Sequence, residues 1–88
     1  MVDLGTLGGT ASYAFAVNDG GQAVGDSHVH GDATHGFSWT KEDGMVDLGT
    51  LGGIVSHALA VNELGQVVGY SFTPSADVHA VLWRTPGP

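Results

Sequence analysis

The chain has 88 residues, 15 of them glycine, with 42% hydrophobic and only 12% charged residues. That composition fits one small folded domain and excludes a disordered acidic tail or a coiled coil. Nine carboxylates against two basic residues give a net charge of -7, which argues against nucleic acid, whose binders need a basic footprint.

Helix is a poor reading, because glycine recurs every few residues and each interior glycine costs about 1 kcal/mol relative to alanine. Short β-prone runs between turn residues read as strands. The first is expected at 1–4 (Met1 to Leu4), running into Gly5-Thr6-Leu7-Gly8-Gly9. The second, 12–17, meets Asn18-Asp19-Gly20-Gly21, an Asn-x-x-Gly turn that folds it back on a third strand at 22–27. His28-Val29-His30 opens the next loop, and a fourth strand is expected at 35–39. Thr40-Lys41-Glu42-Asp43-Gly44 ends in Asp-Gly, a strong hairpin signal, so strand 35–39 should turn directly into Met45 to Leu48.

From Met45 the pattern begins again. Met45 to Gly53 repeats Met1 to Gly9 letter for letter, and the two 44-residue halves match at 21 positions without a gap. The second set of strands is expected at 45–48, 56–61, 66–71 and 79–83, with Asn62-Glu63-Leu64-Gly65 as the matching hairpin turn. Periods of this length mark solenoids, propellers or arrays. Ala58-Leu59-Ala60-Val61 and Val67-Val68 do not alternate with polar residues, as in strands covered on both faces. Four strands in 44 residues is the size of a propeller blade.

The expected fold class is therefore all-β, with two four-stranded antiparallel propeller blades per chain. Units 1–44 and 45–88 together make one two-blade module. Two blades cannot close a ring, so closure by homo-oligomerisation is expected, with a trimer favoured over a tetramer or dimer. A different β fold, such as a sandwich, is the alternative. Strand 1–4 lacks a predecessor and strand 79–83 lacks a successor. Strand exchange is expected to join them, residues 1–4 of one copy completing the second blade of the next.

Asp47-Leu48-Gly49-Thr50-Leu51-Gly52-Gly53, Ser56-His57-Ala58, Ala60-Val61-Asn62 with Gly65-Gln66-Val67-Val68-Gly69, and His79-Ala80-Val81-Leu82-Trp83 resemble the extracellular repeats of the HAF family, named for a His-Ala-Phe signature. The resemblance covers both repeats, although one reads His35-Gly36-Phe37 and the other His79-Ala80-Val81. It implies tandem copies in bacterial surface or secreted proteins, and it supplies no catalytic residue.

Several residues carry candidate chemistry. His28 and His30, with Asp32 and His35 nearby, offer a metal site for Zn, Ni or Cu if alternate strand residues converge. Repeat 2 has Phe72 and Pro74 at the matching positions, so a solvated loop is the plainer reading. His35 and His79 recur in both repeats, either as ligand-binding residues or as hydrogen bonds tying neighbouring strands. Asp3 and Asp47 recur too, either as a ring of ligand-binding carboxylates or as acceptors for N–H groups of the following glycine-rich turn. Trp39 and Trp83 either fill the core or stack on a sugar. Leu-Gly-Thr-Leu-Gly-Gly lacks the Lys and the following helix of a phosphate loop.

The function these features suggest is a non-enzymatic β-propeller repeat module that self-assembles into a ring and acts as a surface scaffold or a ligand-binding module, with a small molecule or glycan as ligand. No cofactor, nucleic-acid partner or membrane insertion is expected. No apolar run approaches the ~18 residues of a membrane span, and Met1-Val2-Asp3 begins no signal-peptide pattern. The alternatives are a propeller enzyme, such as a polysaccharide lyase or hydrolase with a central His/Asp site, and a fragment or engineered piece of a longer repeat protein.

Overall fold

A computed structural model describes residues 1–31 and 33–87, and these form strands and turns without helix. Strands β1 (Ser12–Val17), β2 (Ala23–His28), β3 (Thr34–Thr40) and β4 (Gly44–Gly49) make one antiparallel sheet in sequential order. Strands β5 (Ser56–Val61), β6 (Gln66–Phe72) and β7 (Val78–Arg84) make a second, three-stranded antiparallel sheet.

Turn chemistry sets the hairpins. In both copies the Asn-x-x-Gly turn closes on itself: Gly21 N–H donates to Asn18 O (3.1 Å) and Gly65 N–H to Asn62 O (3.2 Å). Asn18 Oδ1 and Asn62 Oδ1 accept the N–H of Gln22 and Gln66, holding the turn from the side chain. At the third hairpin, Thr40 Oγ1 accepts Asp43 N–H, and β4 runs back along β3 with Phe37 opposite Asp47 and Trp39 opposite Met45.

The repeated Val-Gly pair has a steric cause. β1 and β5 each carry a bulge, between Ala14 and Ala16 and between Ala58 and Ala60. The bulge pushes backbone toward the partner strand, where Gly25 and Gly69 sit. A Cβ at either glycine would lie 1.8 Å from the carbonyl oxygen of Tyr13 or His57, so no side chain fits.

The two sheets stack, with β5 lying over β1, β2 and β3. Val24 of the first sheet and Ala58 and Val67 of the second are buried together at this junction, with Ala16, Leu48, Val61 and Trp83 packed around them. The backbones approach closely at one point, where a Cβ on Gly36 would stand 3.2 Å from Ala58 N. A parallel bridge between Thr34 and Val55 adds a backbone link, through Thr34 N–H to Ile54 O (3.0 Å).

Within the chain Met1 to Leu4 forms no strand and the second sheet has three strands, so one sheet of the chain is four-stranded and not two. The three strands are those expected of the second unit before residues 1–4 of another copy are added. The strand that completes the first sheet is β4, which comes from the second repeat, so that sheet spans residues 12–49 and crosses the 44/45 repeat boundary. β7 is left without an outer neighbour among the described residues, and Met1–Leu4 pairs with no strand of the chain.

Candidate functional site

The recurring aspartates have the same local task in both copies. Asp3 Oδ1 accepts Gly5 N–H (2.9 Å), and Asp47 Oδ1 accepts Gly49 N–H (2.8 Å). Gly5 and Gly49 both take the left-handed backbone, φ 86° and 78°, that L side chains rarely adopt. The glycine-rich loop beyond is built alike in each repeat. Thr6 and Thr50 hydroxyls donate to Gly9 O and Gly53 O, and they accept Gly8 N–H and Gly52 N–H. Ser27 Oγ accepts Leu7 N–H and Ser71 Oγ accepts Leu51 N–H, both at 2.9 Å.

His35 of β3 and Asp47 of β4 meet across neighbouring strands. The imidazole Nδ1 donates to the carboxylate, 3.0 and 2.9 Å from Oδ1 and Oδ2. Asp47 thus ties its own turn and the adjoining strand at once. The other two members of the set are not brought together: the imidazole–carboxylate pairs among the described residues are His35–Asp47 and His57–Asp26. His79 on β7 is exposed, and Asp3 is exposed at the opposite end of the sequence.

The histidine loop does not keep strand geometry. β2 ends at His28, and the chain then turns, with Val29 N–H donating to Ala33 O (3.1 Å), so His30 lies beyond the strand. The His30 ring covers Gly8, where a Cβ would stand 2.9 Å from its Cδ2 and Nε2. Pro74 covers Gly52 in the same way in the second repeat. His30 and Pro74 are thus equivalent covers of a glycine turn. Asp32 lies outside the described residues. Among the described residues no group of three or more His, Cys, Asp or Glu side chains is placed to hold a metal ion.

One pair was missed in the sequence. His57 Nδ1 of β5 donates to Asp26 Oδ2 of β2 at 2.7 Å, linking the two sheets. Asp26 is buried, and its Oδ1 has no hydrogen-bond partner among the described residues. The signal was available as paired departures from the repeat. Position 26 is Asp where repeat 2 has Tyr70, and position 57 is His where repeat 1 has Tyr13.

A second polar bridge crosses the junction. Gln22, buried, donates through Nε2 to Ser38 Oγ (2.9 Å) and to Thr85 Oγ1 (2.7 Å). Asn18 Nδ2 donates to Asn62 O (3.0 Å), so the two hairpin turns are joined as well. Beside Gln22 lies a cleft of about 160 Å³, lined in part by Thr40, Asp43 and Arg84. A shallower apolar hollow of about 510 Å³ lies between Gly52–Val55 and Phe72–Pro74. Neither is lined by His35, His79, Asp3 or Asp47.

The broadest feature is a mismatch in burial between equivalent positions. Val24 is fully buried at the junction, whereas its counterpart Val68 is 45% exposed. Ser38 is buried and its counterpart is Leu82, 47% exposed. On the other side of the stack, Ala58 is fully buried while its counterpart Ala14 is exposed. Phe15 and Val17 of β1 are exposed beside it. No family model, curated protein or solved structure matches the chain, so the likeness to HAF repeats rests on the residues quoted above.

Proposed function

We propose that the chain is a non-enzymatic module whose two sheets are successive blades of a β-propeller ring, closed head-to-tail by further copies, with a trimer of six blades as the favoured form. The carrying observation is that positions exposed on the outer faces are the repeat equivalents of positions that the junction inside the chain buries. Val68 and Leu82 stand where Val24 and Ser38 are covered, and Ala14 stands where Ala58 does the covering. Uncovered apolar sheet faces and unpaired edges favour association. A contact of one face with a different face of the next copy is heterologous and closes only as a ring, or else propagates.

The same correspondence brings Met1–Leu4 of one copy alongside β7 of its neighbour, as β4 lies alongside β3. His79 and Asp3 then meet between copies as His35 and Asp47 meet within one. The work of such a ring is scaffolding or multivalent binding of a small molecule or glycan, in keeping with the resemblance to extracellular repeats.

Native mass spectrometry and light scattering test this reading. The expected result is a discrete oligomer, three chains for six blades. A chain lacking residues 1–5 should lose it. A monodisperse 9.0 kDa monomer at micromolar concentration overturns the reading.

A further inference from the structure

The junction inside the chain contains one feature that its proposed counterpart between copies cannot contain. Within the chain, His57 of β5 reaches Asp26 of β2. One repeat further along, those positions are Tyr13 and Tyr70, and these are the chain's two tyrosines. Tyr13 is 55% exposed, on the edge strand of the first sheet. Tyr70 is half-buried on the uncovered face of the second sheet, its ring 4.8 Å from that of His57. Exposed apolar residues flank both, Phe15 and Val17 beside Tyr13, and Val68 and Leu82 beside Tyr70.

We propose that the uncovered face of the β5–β6–β7 sheet is the docking surface for β1 of a second copy, with Tyr13 of that copy seated against Tyr70. This rests on the self-association proposed above and names its contact. The occupant is a second copy because β1 carries the same repeat positions as β5, which covers the equivalent face of the first sheet.

Size supports the pairing. At the internal junction Gly36 lets the backbones close in, with room for no more than a strained Cβ against Ala58. The counterpart of Gly36 is Ala80, so the docked sheets stand further apart there. Two phenol rings are larger than an imidazole and a carboxylate, and they fill the wider gap. Aromatic pairs at centroid separations of about 4.5–7 Å add favourable contact beyond their buried area. The two junctions therefore differ in kind: an imidazole–carboxylate pair inside each chain, and a phenol pair between chains.

The test is one-electron photo-oxidation of the full chain, which joins adjacent tyrosines covalently, read on denaturing gels beside native mass spectrometry. The wild-type chain should give a ladder of linked copies. Tyr13→Phe and Tyr70→Phe should each abolish the ladder while the oligomer persists. Unfolding the two variants together and refolding them as a mixture should restore linked dimers and nothing longer, because each chain then offers one half of the pair. A ladder that survives in either variant overturns the Tyr13–Tyr70 contact while leaving self-association standing. So does an assembled wild-type chain that does not link. A monomeric wild-type chain overturns self-association and this contact together.

Discussion

His57 and Asp26 are joined at 2.7 Å across the two sheets, and each occupies a position where the repeat departs from itself. Because Asp26 Oδ1 is buried without a partner among the described residues, His57 is the side chain that satisfies this carboxylate. Removing it strands a buried polar group. We expect His57→Ala to destabilise the fold by about 2–3 kcal/mol, and His57→Gln, which still offers a donor, by less. Urea unfolding at one fixed protein concentration measures this. Equal losses for the two variants would show that the hydrogen bond is not what holds the junction.

Gly25 and Gly69 should tolerate nothing larger. With an added Cβ 1.8 Å from a backbone oxygen, relief requires the bulge itself to shift. Gly25→Ala and Gly69→Ala should each cost more than about 4 kcal/mol, among the largest effects of a single methyl group. Gly44→Ala is the contrast. Its surroundings are open and only its φ of 70° opposes a side chain, so about 1 kcal/mol is expected. Thermal melts followed by circular dichroism rank the three.

Gln22 and Gln66 are the same residue in the same turn, yet they should not respond alike. Gln22 bridges Ser38 and Thr85 from a buried position, whereas Gln66 is half-buried and its side-chain oxygen accepts from Asn62 of its own turn. Gln22→Ala should cost about 2 kcal/mol and Gln66→Ala under about 1 kcal/mol, measured side by side in urea. A reversed order would mean that the buried amide network contributes less than the turn.

The proposed assembly can be probed by exchanging Asp3 and His79. Asp3→Ala or His79→Ala should each weaken self-association about tenfold, or about 1.4 kcal/mol, without lowering the unfolding midpoint of the separated chain. Exchanging the two, as Asp3→His with His79→Asp, should recover part of the affinity. Analytical ultracentrifugation at a series of concentrations reports both. A double exchange weaker than either single variant would place the two residues apart.

The strands were legible because their causes are local. Asn-x-x-Gly and Asp-Gly fix three hairpins from within four residues each, and the strands between them fall within one residue of expectation at either end. Met1–Leu4 forms no strand within the chain for the complementary reason. It is letter for letter Met45–Leu48 of β4, but a strand exists only where an edge is free to accept it, and that depends on residues far away or in another molecule. The recurring His35 and Asp47 were visible as repetition, and the turn bonds of the aspartates follow from the glycines beside them. His57 and Asp26 left only the mark of two departures from the repeat, and nothing in the sequence pairs those departures with each other. Their partnership depends on how the two sheets stack.

The glycine-rich loop after Asp3 has the hydrogen bonds of its twin after Asp47, although Met1–Leu4 is unpaired and β4 is not. In the ring proposed above, residues 5–9 would therefore already be in the shape they need when a neighbour's strand arrives. At most four residues would then have backbone freedom left to lose, at about 1–2 kcal/mol of conformational entropy each, in place of the nine that a wholly flexible arm would have to order. An arm anchored at its root also samples fewer wrong orientations before it meets an edge. Association should then be set by the rate of encounter between copies, with little delay for ordering of the arm.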